Sequence, residues 1–454
     1  QPAHYLIISF DNFNASKYEI KKYWRKKNEK NIEKDYSKIK NKAKNLLFDS
    51  VKEQLISDVP LGAFLSSGID SSLIVSMMQE ITPGNVNTFS IGFEEKEYDE
   101  SKNAKKIASF LKTNHNEFYV DTKNVQDMIP YISEIYDEPF SDSSQVPTYL
   151  VSKFAKQKVK VSLSGDGGDE LFGGYNRYVN SSKILQFNKL IPKYIKNILI
   201  NFLQILSPNS WNKLLYFLMN FYILPKINLP GDKIYKLIGL IEKNNISDLY
   251  DFYISHWNKN DQPFSDNINN IYLEEKYEFI NFNDFSQEMM HYDSITYLPD
   301  DILVKVDRAA MANSLETRAP FLNHDLVSYA HNIPSSFKLG KKNKIILRDI
   351  LNTYLPKELF DLPKAGFGMP IDLWLKNDLK DWAISLVNKK DIESQGILNR
   401  NKIISIFDQH FKGQRNWNNK IWTVLMFQSW LEAQGQLRFQ LVLLYRIHFQ
   451  LHKW

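Results

Sequence analysis

Residues 63–78, AFLSSGIDSSLIVSMM, have the residue types of a phosphate-binding turn. A short apolar run typical of a buried strand leads into small residues at 66–68, and Asp70 and Ser71 then begin an expected helix. Such a turn presents backbone N–H groups and the positive end of the helix dipole to an anion. Because Asp70 would repel a phosphate, we expect a divalent cation between the two. On local features alone, an ordinary strand-to-helix turn with a serine cap explains the stretch equally well.

A second stretch, LSGDGGDELFGGYNRY at residues 163–178, places five glycines and three carboxylates directly after a predicted strand. Glycines would let the backbone approach a nucleotide, and Asp166, Asp169 and Glu170 could bind a metal or transfer a proton. The alternative is a Gly/Asp surface turn.

The first stretch, residues 63–78, lacks the Gly-x4-Gly-Lys-Ser/Thr spacing of a Walker A loop. This excludes a P-loop NTPase.

Strands and helices that alternate along the chain position these two stretches. The predicted strands are residues 4–10, 60–65, 88–93, 117–120 and 159–163, and the predicted helices between them are residues 43–57, 101–111, 125–136 and 148–157. From residue 60 onward this alternation predicts an α/β fold with a doubly wound parallel sheet, followed by a large helical portion. Ligands of such sheets lie at the carboxyl ends of the strands, so Ser66 and Ser164 are expected to face one crevice.

The composition of the 454 residues is that of a globular protein, with 43% hydrophobic and 24% charged residues. No apolar run approaches the ~20 residues of a membrane helix, and the net charge of +5 lacks a basic block, so we expect neither a membrane nor a nucleic-acid partner. The absence of cysteine excludes disulfides, thiolate zinc sites and a cysteine nucleophile within this chain, and fits a cytoplasmic location. The chain begins at Gln1 without a signal-peptide pattern.

Four motifs, in order, resemble the synthetase domain of the glutamine-hydrolysing asparagine synthetase family, including its relatives in surface-polysaccharide gene clusters. They are SSGIDSS, SGDGGDELFGGY, LVKVDRAAMANSLETRAPFLNHD and PKAGFGMPIDLWL, and the resemblance runs from about residue 45 to 432. It implies a sheet of the PP-loop ATP pyrophosphatase type that uses Mg²⁺ and ATP to adenylate a carboxylate. Pyrophosphate is then released, and ammonia displaces AMP to give an amide.

The resemblance also assigns roles to individual residues. The ATP phosphates would be held by Ser66, Gly68, Asp70 and Ser71, the adenosine by Leu65, Ile91, Ser164 and Gly165, and Mg²⁺ by Asp70 and Asp169. Asp166 would orient or deprotonate ammonia, and Lys364 would stabilise negative charge on the phosphates and the transition state. Two neighbouring pairs, Asp307–Arg308 and Glu316–Arg318, are expected to form ion pairs of structural use.

The resemblance divides the chain into six segments. Residues 1–24 correspond to the last strand of a glutaminase domain, 25–45 to a linker, 46–180 to the ATP-binding core, 181–290 to a helical insertion, 291–432 to the helical C-terminal part, and 433–454 to an atypical tail. The sequence departs from the family pattern at three positions. Ser67 replaces the usual second loop glycine, which would alter the approach of phosphate, Asp166 replaces the glutamate of many members, and Asn323 replaces an aspartate.

The sequence thus predicts an ATP-dependent ligase that acts on a carboxylate, either aspartate or a sugar uronic acid. Its ammonia would be used directly, or come from glutamine if a glutaminase portion is supplied. Two alternatives remain: another PP-loop ATP pyrophosphatase, against which the absence of cysteine counts for sulfur transfer, and a non-catalytic nucleotide-binding or assembly subunit. A homodimer is also open.

Overall fold

The computed structural model describes residues 3–11, 14–24, 33–95, 98–221, 228–257, 261–265, 284–361, 368–388 and 391–450, of which residues 11, 14–16, 388, 391 and 435–450 are described by their backbone alone. The predicted catalytic residue Lys364 lies outside the described residues.

Seven strands form two sheets in the described part of the chain. The strands are β1 (His4–Asp11), β2 (Asn14–Lys22), β3 (Leu61–Phe64), β4 (Asn87–Phe93), β5 (Asn114–Val120), β6 (Val161–Leu163) and β7 (Glu316–Arg318). The first two pair as an antiparallel hairpin, and the other five form a parallel sheet.

Helices make up most of the remaining described chain. They are α1 (Tyr36–Gln54), α2 (Ile69–Ile81), α3 (Ser101–Leu111), α4 (Thr122–Ile135), α5 (Gln145–Ala155), α6 (Gly168–Phe172), α7 (Asn176–Leu190), α8 (Lys193–Gln204), α9 (Pro208–Asn220), α10 (Pro230–Ile241), α11 (Ile246–Ile254), α12 (Phe285–Ile295), α13 (Leu303–Met311), α14 (His324–Asn332), α15 (Ser335–Lys338), α16 (Ile345–Leu351), α17 (Lys357–Phe360), α18 (Ile371–Lys376), α19 (Lys380–Asn388), α20 (Asp391–Gln395), α21 (Arg400–Phe411) and α22 (Asn418–Gln450), with a π-helical turn at Leu298–Ile302 and a 3₁₀ turn at Pro320–Leu322.

The strand order of the large sheet is β5-β4-β3-β6-β7. The chain starts at β3, adds β4 and β5 on one side, and then returns to add β6 and β7 on the other. The order therefore reverses between β3 and β6, and ligands of open parallel sheets bind outside the carboxyl ends of the strands at such a switch point. The loops that follow β3 and β6 carry the two stretches singled out from the sequence.

Apolar side chains cover both faces of this sheet. Helices α1, α2, α14 and α16 pack on one face through residues such as Val51, Leu73 and Leu347. On the other face, α4 and α5 join the C-terminal helices in a second core that includes Phe89 and Trp422. The predicted α/β class and doubly wound parallel sheet are confirmed, and the two cores hold the strand ends rigidly in place.

The structure adds two strands that the sequence did not predict. Residues 14–22 form β2 and complete a hairpin where only one strand and a turn were expected. The three-residue strand β7 pairs with β6, with Leu163 opposite Arg318, and gives the sheet its fifth strand. A strand of three residues is too short for side-chain alternation to show in the sequence.

Helix boundaries also differ at both ends of the synthetase-like region. Helix α1 begins at Tyr36 rather than Ala43, because Asp35 caps it by accepting from the backbone N–H groups of Ser37 and Lys38. Helix α22 continues past Glu432 to Gln450 without a break. In the described residues, none of the helices combines the length and the apolar character required to cross a bilayer.

Candidate functional site

The loop after β3 is held together by its own serine hydroxyls. The hydroxyl oxygens of Ser66 and Ser71 are 2.9 Å apart, and the backbone N–H of Gly68 donates to Ser66 Oγ over 3.0 Å. Gly68 is the N-cap of α2 and contributes no side chain to its first turn. Asp70 and Ser71 therefore lie in the first turn of a 13-residue helix, at the positive end of its dipole.

The loop after β6 lies against the start of α2. A methyl group built on Gly165 would lie 2.8 Å from the backbone nitrogen of Ser71 and 2.9 Å from Cβ of Asp70, so only glycine fits there. Residues 65–71 and 164–170 thus form one structural unit, called here the paired loops. That Ser66 and Ser164 face one crevice stays a prediction.

Lys344 joins the paired loops electrostatically. Its ammonium group lies 2.6 Å from Asp169 Oδ1 and also contacts Asp70 Oδ2, and its side chain is only 7% exposed. Burial alone would lower the pKa of Lys344, but Asp169 and Asp70 outweigh it, so the pKa is raised above its usual value. A fixed positive charge therefore lies between the two carboxylates that the resemblance assigns to Mg²⁺.

Local backbone geometry gives Lys344 this position. The residue precedes α16 and adopts the left-handed conformation, with φ of 59°. Gly174 leaves the space that the ion pair fills, since a methyl group there would overlap Asp169 Oδ1 at 1.5 Å. Such strain at a non-glycine residue is typical of functional sites, because the surroundings must enforce it.

Asp166 lies in the same loop and is half-buried. Burial raises the pKa of its carboxyl group, and this effect exceeds the opposing effects of the Ser164 hydroxyl and the Lys305 ammonium. Lys305 is itself buried and donates to Asp142 Oδ2 and Ser144 Oγ, each over 2.8 Å. A carboxyl group with a raised pKa is better suited to accept a proton than an ordinary aspartate.

Glu170 is the most buried carboxylate of the paired loops, with 3% of its surface exposed. Its Oε1 accepts from the Tyr175 hydroxyl over 2.7 Å. Burial, reinforced by the nearby charge of Asp169, raises the pKa of Glu170 to about 8. Glu170 also lines a small pocket together with His291, His331 and Lys338.

Ser67, the departure from the family pattern, has its side chain engaged. Its hydroxyl donates to Glu100 Oε2 over 3.0 Å. Glu100 immediately precedes α3, so this bond ties the β3 loop to a neighbouring helix. The hydroxyl is therefore directed at a protein carboxylate.

The residues predicted to contact adenosine lie at the same edge of the sheet. Leu65 is buried, and its backbone N–H donates to Phe89 O over 2.8 Å. Ile91 follows two residues later on β4 and is also buried. Ser164 is buried directly after β6, and its N–H donates to Arg318 O over 2.8 Å. Their contact with a purine stays a prediction.

Two groups at the site were missed from the sequence. Lys344 lies in the lysine-rich stretch KKNKIILRD, which suggests a solvated surface. The buried Lys305–Asp142 pair joins residues that are 163 positions apart, so no local pattern indicates it.

The expected ion pairs are confirmed: Arg308 contacts Asp307 at 2.9 Å, and Arg318 contacts Glu316 at 2.6 Å. Arg308 also pairs with Asp137 at 2.7 Å.

The donor set agrees with the chemistry of Mg²⁺ bound together with a nucleotide. Among the described residues no group of three or more His, Asp or Glu side chains could hold a metal ion alone. Mg²⁺ is commonly bound by one or two carboxylates while phosphates and water complete its shell. Asp70 and Asp169, brought together through Lys344, are two such carboxylates.

Comparison with known proteins is consistent with this geometry. A family model described as asparagine synthase matches residues 42–432. The chain is 31% identical to asparagine synthetase (glutamine-hydrolyzing) 1 of Bacillus subtilis over 91% of its own length and 62% of the relative. It is 30% identical to a putative asparagine synthetase (glutamine-hydrolyzing) of Mycobacterium bovis, over 85% of the chain and 56% of the relative. A putative asparagine synthetase 2 of Methanocaldococcus jannaschii is 45% identical over 40% of the chain. The chain thus spans about 60% of the length of the first of these relatives.

Proposed function

The chain belongs to the asparagine synthase family, and from this membership and the paired loops we propose that it forms an amide from a carboxylate and ammonia at the expense of ATP. The observation that carries the proposal is Lys344 bridging Asp70 and Asp169 across loops that follow β3 and β6. This arrangement places a lysine, which suits phosphate, and two carboxylates, which suit the cation of a nucleotide, at the topological switch point of the sheet.

In the first step, a carboxylate oxygen of the acceptor bonds to the α-phosphorus of ATP while the bond to pyrophosphate breaks. The N-terminus of α2 and the loop at Ser66, Gly68 and Ser71 would hold the phosphates through backbone N–H and hydroxyl groups. Lys344 would stabilise charge that develops on the leaving pyrophosphate. Asp70 and Asp169 would hold Mg²⁺, which neutralises phosphate charge.

In the second step, ammonia attacks the acyl carbon, the bond between that carbon and the bridging oxygen breaks, and AMP leaves with this oxygen on its phosphate. Asp166 is suited to orient the ammonia and accept its proton, because burial raises its pKa. Leu65, Ile91, Ser164 and Gly165 would contact the adenosine, and Lys364 would add positive charge near the phosphates. The acceptor is aspartate or a sugar uronic acid, and ammonia is used directly or supplied by a glutaminase.

The test is release of pyrophosphate with ATP, Mg²⁺ and ammonium, using aspartate and a panel of sugar uronic acids as acceptors. We expect AMP, pyrophosphate and one amide in equal amounts, dependent on the acceptor. Asp70→Asn should lose at least about 100-fold in rate, whereas Asp58→Asn, a change at an exposed residue before β3, should retain activity.

Three further results bear on the proposal. Folded protein that binds ATP but gives no pyrophosphate with any acceptor would favour a nucleotide-binding or assembly subunit and reject the proposed reaction. Formation of ADP and phosphate as products would reject adenylation in favour of an acyl phosphate intermediate.

Lys364→Ala should slow the chemical step much more than it weakens ATP binding. An equal loss of both would contradict the role assigned to Lys364.

A further inference from the structure

Helix α8 has a large apolar face exposed to solvent in the described structure. Its five outward apolar residues are Tyr194, Ile195, Ile198, Phe202 and Ile205, the last being the C-cap. At about 100° per residue, they cover an arc of roughly 100° on one side of the helix. Their exposed fractions run from 42% to 72%. Large side chains grouped in this way mark an interaction surface, whereas single exposed ones do not.

The orientation of α8 is fixed by contacts on its opposite side. The buried Lys196 donates to Asn244 Oδ1 over 3.0 Å, and Leu203 O accepts from Trp211 Nε1 over 2.8 Å. The Tyr235 hydroxyl of α10 donates to Leu206 O over 3.3 Å. These bonds tie the inner face of α8 to α9, α10 and the turn after α10, so the apolar arc must face outward.

The helices before and after α8, which like α8 contact α10, also carry exposed apolar residues. In α9 and its C-cap, Leu214, Phe217 and Phe221 follow one another at spacings of three and four residues, and all are exposed. At the end of α7, Phe187 and Leu190 are also exposed, Leu190 by 83%. We call the exposed apolar residues of these three helices the outer helical surface.

The charge of this region has a single sign. Residues 171–231 contain seven Lys or Arg and no Asp or Glu, which exceeds the net +5 of the whole chain. Among them Lys183, Lys189, Lys193 and Lys213 are exposed on the three helices. An acidic residue near the surface, Asp232 of α10, is paired with Arg415. The exposed charged residues of α7, α8 and α9 are thus all positive.

We propose that the outer helical surface docks on an anionic lipid bilayer. Aromatic and aliphatic residues beside lysines are the features of helices that lie in the plane of the membrane interface, with the apolar side buried at the level of the headgroups. Lysines near an anionic surface add attraction for each charge. A second copy of the chain fits less well, because a two-fold interface would bring together two patches whose exposed charges are all positive. The proposal departs from our sequence-based expectation of no membrane partner, which rested on the absence of a spanning segment.

Flotation with lipid vesicles tests the proposal independently of any catalytic activity. The purified protein is mixed with vesicles of phosphatidylcholine alone, or of phosphatidylcholine and phosphatidylglycerol. We expect binding to the anionic vesicles that decreases with added salt. Binding should fall at least about tenfold in Tyr194→Ser/Ile198→Ser/Phe202→Ser and also in Lys193→Glu/Lys213→Glu.

A matched control changes exposed apolar residues elsewhere in the molecule. Tyr18→Ser/Ile20→Ser removes two such side chains from β2, and it should bind vesicles as the parent does. Circular dichroism and melting temperature establish that every variant is folded. Failure of the parent protein to bind anionic vesicles overturns the proposal, as does an equal loss in the β2 control. A lipid-free dimer that the triple variant converts to monomer would assign the surface to a second copy instead.

Discussion

The paired loops and the outer helical surface distribute charged and apolar groups in opposite ways. In the loops, Lys344 is buried among carboxylates, although burial of charge costs free energy. On α8, residues such as Tyr194 and Phe202 are exposed, although burying them would stabilise the fold. Both arrangements are unfavourable for folding alone. Each therefore indicates a ligand, one that interacts with the charged groups of the paired loops and one that covers the exposed apolar side chains of α8.

The comparison also separates two kinds of ligand. The paired loops are rigid and converge on a small volume, which suits a nucleotide held by specific contacts. The outer helical surface carries exposed apolar side chains and exposed lysines on three helices, which suits an extended partner surface recognised by charge and apolar contact. Ligand binding at the paired loops therefore depends on single residues, whereas binding at the outer helical surface depends on the summed contacts of many side chains.

Removal of the Lys344 charge should have the largest effect. In Lys344→Met, Asp70 and Asp169 lose the ammonium group that lies between them, and the leaving pyrophosphate loses a stabilising charge. We expect kcat for pyrophosphate release to fall by about 10² to 10³-fold. Steady-state kinetics with saturating acceptor measures this effect.

Lys342→Met is the matched control for this prediction. Lys342 lies two residues earlier, is 59% exposed, and pairs with Asp361 rather than with the loops. It should keep kcat within about twofold, because exposed ion pairs contribute little. A Lys344→Met protein with the parent's kcat and ATP affinity would show that the ion pair only holds the loops together, and the contrast between the two regions would weaken.

A buried ionisable residue far from both regions should affect stability alone. His410 is fully buried in α21, and its Nδ1 accepts from the backbone N–H of Trp417 over 3.1 Å. Burial, aided by the charge of Lys376, lowers the pKa of His410 to about 4. Neutral His410 thus contributes stability that is complete above the unfolded pKa of about 6.5 and is lost as the pH falls through 4.

Denaturant unfolding at several pH values tests this prediction against His410→Gln, which keeps an acceptor. Relative to that variant, the parent should lose on the order of 3 kcal/mol of unfolding free energy between pH 6.5 and pH 4. Its kcat at pH 7.5 should match that of the variant. Parallel pH curves for the two proteins would show that folding does not shift the pKa of His410.

The same contrast explains what could be predicted from the sequence. Strand ends followed by Gly, Ser and Asp identify the paired loops, because backbone approach and helix capping require those residue types locally. The position of Lys344 depends on a contact with Asp70, 274 residues away, and no local pattern encodes it. The apolar spacing of α8 is visible in the sequence, but it is equally typical of a buried helix face, so only the fold shows that the face is exposed.

The smallest effect is expected at Ser67, where the sequence suggested a change in phosphate approach. Its hydroxyl donates to Glu100, so Ser67→Gly removes that bond while the backbone N–H groups of the loop remain. We expect a loss of about 1 kcal/mol in unfolding free energy and a KM for ATP within about threefold of the parent. Glu100→Gln, which keeps an acceptor for Ser67, should change both quantities less. If Ser67→Gly instead binds ATP about tenfold more tightly, the serine hinders phosphate sterically, and the β3 loop is less favourable for its ligand than its hydrogen bonds indicate.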